Sequence, residues 1–197
     1  MRQYKLFLVD LDGVVLHRAD FFSRRAQTLY PDANHAAILE FFTGGTYKET
    51  ALGKKDLPIS LAKELPHWNV PVTVEELLKT WFDGENTIDE AVLKCVTKIR
   101  NSGITCVLAT DHSSYRKHDV WENVGMKHYF DDIIASADVG ATKEDPAFYR
   151  YALERFNINN LETVLFTDDD SENVAVANSL GITGIVFTGV DIFKNIK

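Results

Sequence analysis

The sequence predicts an α/β fold: a parallel sheet with helices on both faces, and an all-helical segment inserted after the first strand. Three features predict it. Apolar runs at residues 6–9, 104–108 and 164–166 lack polar alternation and are followed within two residues by acidic or hydroxyl residues, as in strands buried on both faces of a sheet. From residue 87 onward, helix and strand patterns alternate, which implies parallel pairing through helical crossovers. Between residues 16 and 87 there is no convincing strand, and helical spacing recurs.

Taken in order, residues 4–10 read as a central strand. Residues 36–42 and 57–65 read as helices, and Gly44-Gly45 marks a break. Pro31, Pro58, Pro66 and Pro71 fit short helices joined by turns. Val74, Leu77, Leu78 and Trp81 share one helix face, and Thr73 with Glu76 forms a capping box at its start. Thr87 with Glu90 gives a second capping-box signature, before the stripe Ile88, Val92, Cys95, Val96 and Ile99. Gly103 sits where that helix ends. Strands then follow at residues 104–110, 132–136, 164–167 and 185–187, with helices at 113–124, 146–156 and 172–180. Pro146 stands in a first helical turn. The expected division is 1–15 and 88–197 for the sheet-containing core and 16–87 for a helical unit.

Bulk properties exclude several functions. At 197 residues the chain can hold one core, or one core and a small inserted module. A formal net charge of −8 with no basic stripe argues against nucleic acid. It also opposes an anionic substrate at long range, so any phosphate ester needs local cations. The first apolar run is too short for a signal-peptide core or a membrane span, so a cytoplasmic protein with no membrane partner is expected. Cys95 and Cys106 read as reduced thiols without zinc spacing.

The chemistry sits in four stretches. Val9-Asp10-Leu11-Asp12-Gly13 follows the first strand, and Leu108-Ala109-Thr110-Asp111 ends the second. Thr142-Lys143-Glu144-Asp145-Pro146 precedes a helix, and Phe166-Thr167-Asp168-Asp169-Asp170-Ser171-Glu172-Asn173 follows a third buried strand. Polar residues past the carboxyl ends of parallel strands are where such sheets bind ligands. Asp10 and Asp12, two residues apart, can reach one site if the chain turns at Gly13. Successive acids at Asp168, Asp169 and Asp170 repel one another unless water or a cation screens them; Asp170 or Ser171 also suits the cap of the next helix. Lys143 is the counter-charge, and Thr110 offers a hydroxyl. Carboxylates, a hydroxyl and a lysine together suit a divalent metal and a transferred phosphoryl group.

These four stretches, in this order, resemble the haloacid dehalogenase superfamily, in its phosphatase-like branch with an inserted helical cap. The resemblance implies a Rossmann-like core and a small all-helical cap after the first strand. It implies Asp10 as nucleophile, forming an aspartyl-phosphate, and Asp12 as acid–base, with its main-chain carbonyl on the metal. Thr110 and Asp111 would lie at the phosphate with Lys143, which also holds the nucleophile. Asp169, with Asp168 beside it, would ligate Mg2+ together with Asp10 and Asp12. Asn173 matches a structural asparagine. Two positions depart from the family pattern: Asp111 stands where asparagine is common, and Glu144 where proline is. The implied activity is hydrolysis of a small phosphorylated metabolite. A phosphomutase, a dehalogenase and a silent phosphate-binding module are the alternatives, and Asp12 argues against the dehalogenase. His17, Arg18, Arg24, Lys48, Lys54 and Lys55 are the candidate substrate contacts from the cap.

Overall fold

The computed structural model describes residues 4–17 and 20–196. Its strands are β1 (Leu6–Asp10), β2 (Thr105–Thr110), β3 (Asp132–Ala135), β4 (Val164–Asp168) and β5 (Thr183–Val186). They form one 5-stranded sheet in the order β3-β2-β1-β4-β5, and every pair is parallel. After β1 the chain carries α1 (Phe22–Leu29), α2 (His35–Thr43), α3 (Thr46–Ala51), α4 (Leu57–Trp68) and α5 (Val74–Asp83). The remaining α-helices are α6 (Glu90–Asn101), α7 (Ser114–His118), α8 (Ser136–Val139), α9 (Pro146–Arg155) and α10 (Ser171–Ser179).

β1 shows why its sequence is a continuous apolar run. Phe7 and Val9 join one core cluster with Val92, Val96 and Ile99 of α6. Leu6 and Leu8 point the other way, into a cluster with Phe148 and Tyr149 of α9 and Val174 and Ala177 of α10. Both faces of the sheet are thus covered by helices, and neither face of β1 can be polar. A third cluster is drawn entirely from α1 to α5 and their connections, with Phe22, Ile38, Phe41, Leu61, Trp68, Leu77 and Trp81. Its rings meet at close range, Phe41 against Trp68 at 5.4 Å and Phe22 against Trp81 at 5.6 Å. Such ring pairs add about 0.5–1.5 kcal/mol each beyond the area they bury.

The two passages between the sheet and the helical segment run side by side. Leu16 and Ile88 form an antiparallel bridge. His17 N–H donates to Thr87 O at 2.8 Å, and Asp89 N–H donates to Val15 O at 2.9 Å. This pairing changes one sequence expectation. The cap of α6 is Asp89, which accepts from Ala91 and Val92 N–H, because Thr87 is engaged with the neighbouring passage. The capping box at Thr73 and Glu76 is present as expected, and Gly44 and Gly45 separate α2 from α3.

Other boundaries differ for identifiable reasons. α4 continues past residue 65 through Pro66, anchored by the fully buried Trp68, and closes on Asn69 at a left-handed φ of 56°. The helix expected at 113–124 ends as α7 and continues as a wide π-turn, Asp119–Asn123. There the Asp119 carboxylate accepts from both Arg116 and Asn123. α1 and α3 have no counterpart in the sequence reading. α3 has 6 residues, too few to show a period, and neither helix has a side-chain cap. β5 begins two residues earlier than the expected 185–187 strand and lies at the sheet edge.

Candidate active site

Parallel register brings the ends of the central strands to one edge. Asp10 pairs with Ala109 across β1 and β2, and Val9 pairs with Thr167 across β1 and β4. Asp10, Thr110 and Asp168 therefore finish their strands together. β1 and β4 flank the point where the strand order reverses, where the outward crevice of an α/β sheet opens. A cavity of about 470 Å3 lies there, between the sheet edge and the helical segment. Asp10, Asp12, Thr110, Asp111, Lys143, Asp168 and Asp169 all line it.

Lys143 is the hub. Its Nζ donates to Asp10 Oδ1 and, at 2.7 Å, to Asp168 Oδ2. The side chains of Lys143, Asp10 and Asp168 are only 4%, 6% and 1% exposed. Charges this far from water persist only when paired. Burial alone would lower the lysine pKa, but Asp10, Asp168 and Asp111 reverse the effect and hold it above its usual value. Burial raises the Asp10 carboxyl to about 8; Lys143 opposes the rise, while Asp168 and Asp12 add to it.

Asp168 is held on every side. Its Oδ2 also accepts from Asn173 Nδ2 at 3.1 Å, and its Oδ1 accepts from Asp170 N–H at 2.8 Å. Asp170 in turn caps α10 by accepting from Glu172 N–H at 2.8 Å. The acidic run thus separates into an anchored Asp168, a capping Asp170 and a cavity-facing Asp169. Ligand oxygens of Asp10, Asp168 and Asp169 lie within 4.8 Å of one another. Gly13 makes room for this. Its φ is +90°, and a Cβ there would lie 2.3 Å from Asp169 Oδ2. Three convergent carboxylates with a backbone cradle fit a hard divalent cation.

Asp12 has a partner that the sequence reading did not name. His112 Nε2 lies 2.6 Å from Asp12 Oδ2, and His112 Nδ1 lies 3.3 Å from the Tyr47 hydroxyl of α3. Burial would raise the Asp12 carboxyl, but the charge and hydrogen bond of His112 prevail and lower it to about 2. Only the position of His112 directly after Asp111 could have pointed to it. Asp111, the departure from the family pattern, accepts the Lys143 backbone N–H on Oδ1 at 3.1 Å. Its carboxyl is raised, first by burial.

The expected cation contacts divide. His17 lines the cavity, whereas Arg24, Lys48, Lys54 and Lys55 do not. Arg24 faces Asp20, and Lys55 pairs with Glu49. Arg18 lies outside the described residues. No helix among the described residues is long and apolar enough to cross a membrane.

Comparison with known proteins agrees with this fold. A HAD family enzyme from Bacteroides thetaiotaomicron, solved in complex with magnesium and inorganic phosphate, superposes with a TM-score of 0.77 at 20% identity, over 93% of each chain. A sesquiterpene phosphatase of Aspergillus oryzae is 29% identical over 100 residues, 51% of this chain and 50% of that protein. A glyceraldehyde 3-phosphate phosphatase of Methanocaldococcus jannaschii is 25% identical over 134 residues, 68% of this chain and 54% of that protein. The chain spans about half the length of these two curated relatives. The family match itself runs over residues 4–181, and the chain belongs to the haloacid dehalogenase-like hydrolases.

Proposed function

We propose that this hydrolase is a magnesium-dependent phosphatase that cleaves a small phosphate monoester through an aspartyl-phosphate on Asp10. The observation that carries this reading is the meeting of Asp10, Lys143, Asp168 and Asp169 at one sheet edge, with Asp12 facing the same cavity. Two of the relatives are phosphatases by name, and the superposed structure holds magnesium and phosphate. Residues 1–15 and 88–197 are the catalytic core in this reading, and 16–87 is its cap.

Asp10, Asp168 and Asp169, with the main-chain carbonyl of Asp12, are the residues to hold magnesium. Bound there, the ion supplies positive charge against the phosphate dianion. Lys143 and the Thr110 hydroxyl orient the phosphoryl oxygens. Asp111 contributes by fixing the Lys143 loop through its backbone N–H. An Asp10 oxygen forms a bond to phosphorus as the ester P–O bond breaks, and Asp12 gives its proton to the departing alkoxide. Water then attacks the same phosphorus, Asp12 accepts its proton, and the bond to Asp10 breaks to release phosphate. A phosphate dianion beside Asp12 opposes its ionised form, which favours loading the proton that the first step needs.

Asp10→Asn tests the reading. The amide keeps the shape but cannot attack phosphorus, so turnover of an aryl phosphate with magnesium should vanish while the circular dichroism spectrum is unchanged. A chelator should stop the wild-type protein, and added magnesium should restore it. Substantial activity in Asp10→Asn would overturn the assignment.

A further inference from the structure

We infer that the alcohol part of the ester is a hydrocarbon carrying no second anionic group; this rests on the phosphatase reading of the same site. The cavity has two unlike ends. Its floor is the carboxylate and lysine cluster. Its walls come from the helical segment and include Phe21, Phe22, Leu39, Phe42, Tyr47 and Trp81. Phe22 and Phe42 each pack on Trp81, at 5.6 and 5.0 Å, and Tyr47 meets Trp81 at 5.7 Å, so the aromatic wall is continuous. Phe21 and Leu39 are 59% and 53% exposed. Large apolar side chains left open along a cavity wall mark a surface that a ligand covers.

The distribution of charge points the same way. Among the described residues lining the cavity, the basic side chains are His17, His112 and Lys143. Lys143 is engaged by Asp10 and Asp168, and His112 faces Asp12. On the helical side the acid is Glu85, which accepts from Phe22 N–H and Trp81 Nε1 at 3.0 and 2.9 Å. A second phosphate or a carboxylate on the substrate would meet this acid, with the His17 imidazole as the basic side chain lining that side among the described residues and no lysine or arginine. A sugar would lose the hydration of its hydroxyls against aromatic rings that return few hydrogen bonds. A hydrocarbon gains from every methylene it removes from water.

The test is a substrate series on the wild-type chain with magnesium: ethyl, butyl and octyl phosphate below micelle-forming concentrations, a hexose phosphate, a hexose bisphosphate and an activated aryl phosphate. The ratio kcat/KM should rise along the alkyl series, by up to about fourfold per buried methylene, and octyl phosphate should exceed both hexose esters. Phe21→Ser and Leu39→Ser, at exposed positions that the fold tolerates, should flatten the alkyl series. A flat or falling series, or a hexose ester ahead of octyl phosphate, would overturn the hydrocarbon assignment while leaving the phosphatase reading in place. Turnover of none of these esters, the activated aryl phosphate included, would remove the phosphatase reading and the substrate class with it.

Discussion

At the residue scale, the pair formed by Asp12 and His112 carries the most specific expectation. Asp12 leaves the strand end on a turn and must be held toward the cavity. His112 holds it at 2.6 Å and is itself close to Tyr47 of α3 at 3.3 Å. This chain of contacts links Asp12, the proposed acid–base group, to the helical segment. We treat His112 as a positioning residue. His112→Ala should lower kcat about tenfold with little change in KM, a smaller loss than the roughly hundredfold or more expected when a general acid–base group is removed. The loss should be larger for alkyl than for activated aryl phosphates, because only the former need protonation. His112→Gln, which can still donate to Asp12, should recover part of the rate. Equal kcat in wild type and His112→Ala would remove the role. The motif residues themselves were legible in sequence because they follow strands in a fixed order. His112 was not, since a histidine beside an acid carries no signal until the turn places its ring.

At the element scale, the paired passages at Leu16 and Ile88 decide where α6 begins. The sequence pattern points to Thr87 as the cap. Asp89 takes it with two backbone donors, while the Thr87 carbonyl accepts from His17. Asp89→Ala should therefore cost about 0.5–2 kcal/mol of unfolding free energy, the usual range for a lost cap. Thr87→Ala should cost less, and urea denaturation of both variants compares them directly. A larger loss for Thr87→Ala would mean that the original capping box forms in solution. Strong patterns were visible: the start of α5 at its capping box, and α9 to within one residue. α1 and α3 were hidden because they lack caps and owe their helicity to the shared aromatic cluster.

At the scale of the whole molecule, the sheet edge concentrates acids that burial makes costly to ionise. Asp10 has a reference pKa of 3.8 and is raised to about 8 in the fold. The folded protein thus holds a proton that the unfolded chain releases. Without a cation, this contribution to stability is complete below about pH 4 and is lost as the pH rises through about 8. Magnesium binds the ionised carboxylate, so its affinity should increase over the same range as proton competition fades. Thermal melts with and without magnesium should show a larger stabilising shift at pH 8 than at pH 6. An equal shift at both would mean that Asp10 is not proton-linked to the metal.

Local order in the sequence was sufficient for the α/β class, the inserted helices and the residues of the four motifs. Unbroken apolar runs require two-sided burial, and turn residues after them require an exposed strand end. The tertiary structure alone decided which groups meet. Lys143 lies 133 residues from Asp10 in the chain, and Asp168 reaches the same ammonium from β4, because parallel register aligns strand ends whatever their separation in sequence. It also decided that Asp111 holds the Lys143 loop and that cations of the helical segment such as Arg24 and Lys55 pair on the surface. In both cases a side chain's partner is set by packing in three dimensions, which no spacing along the chain encodes.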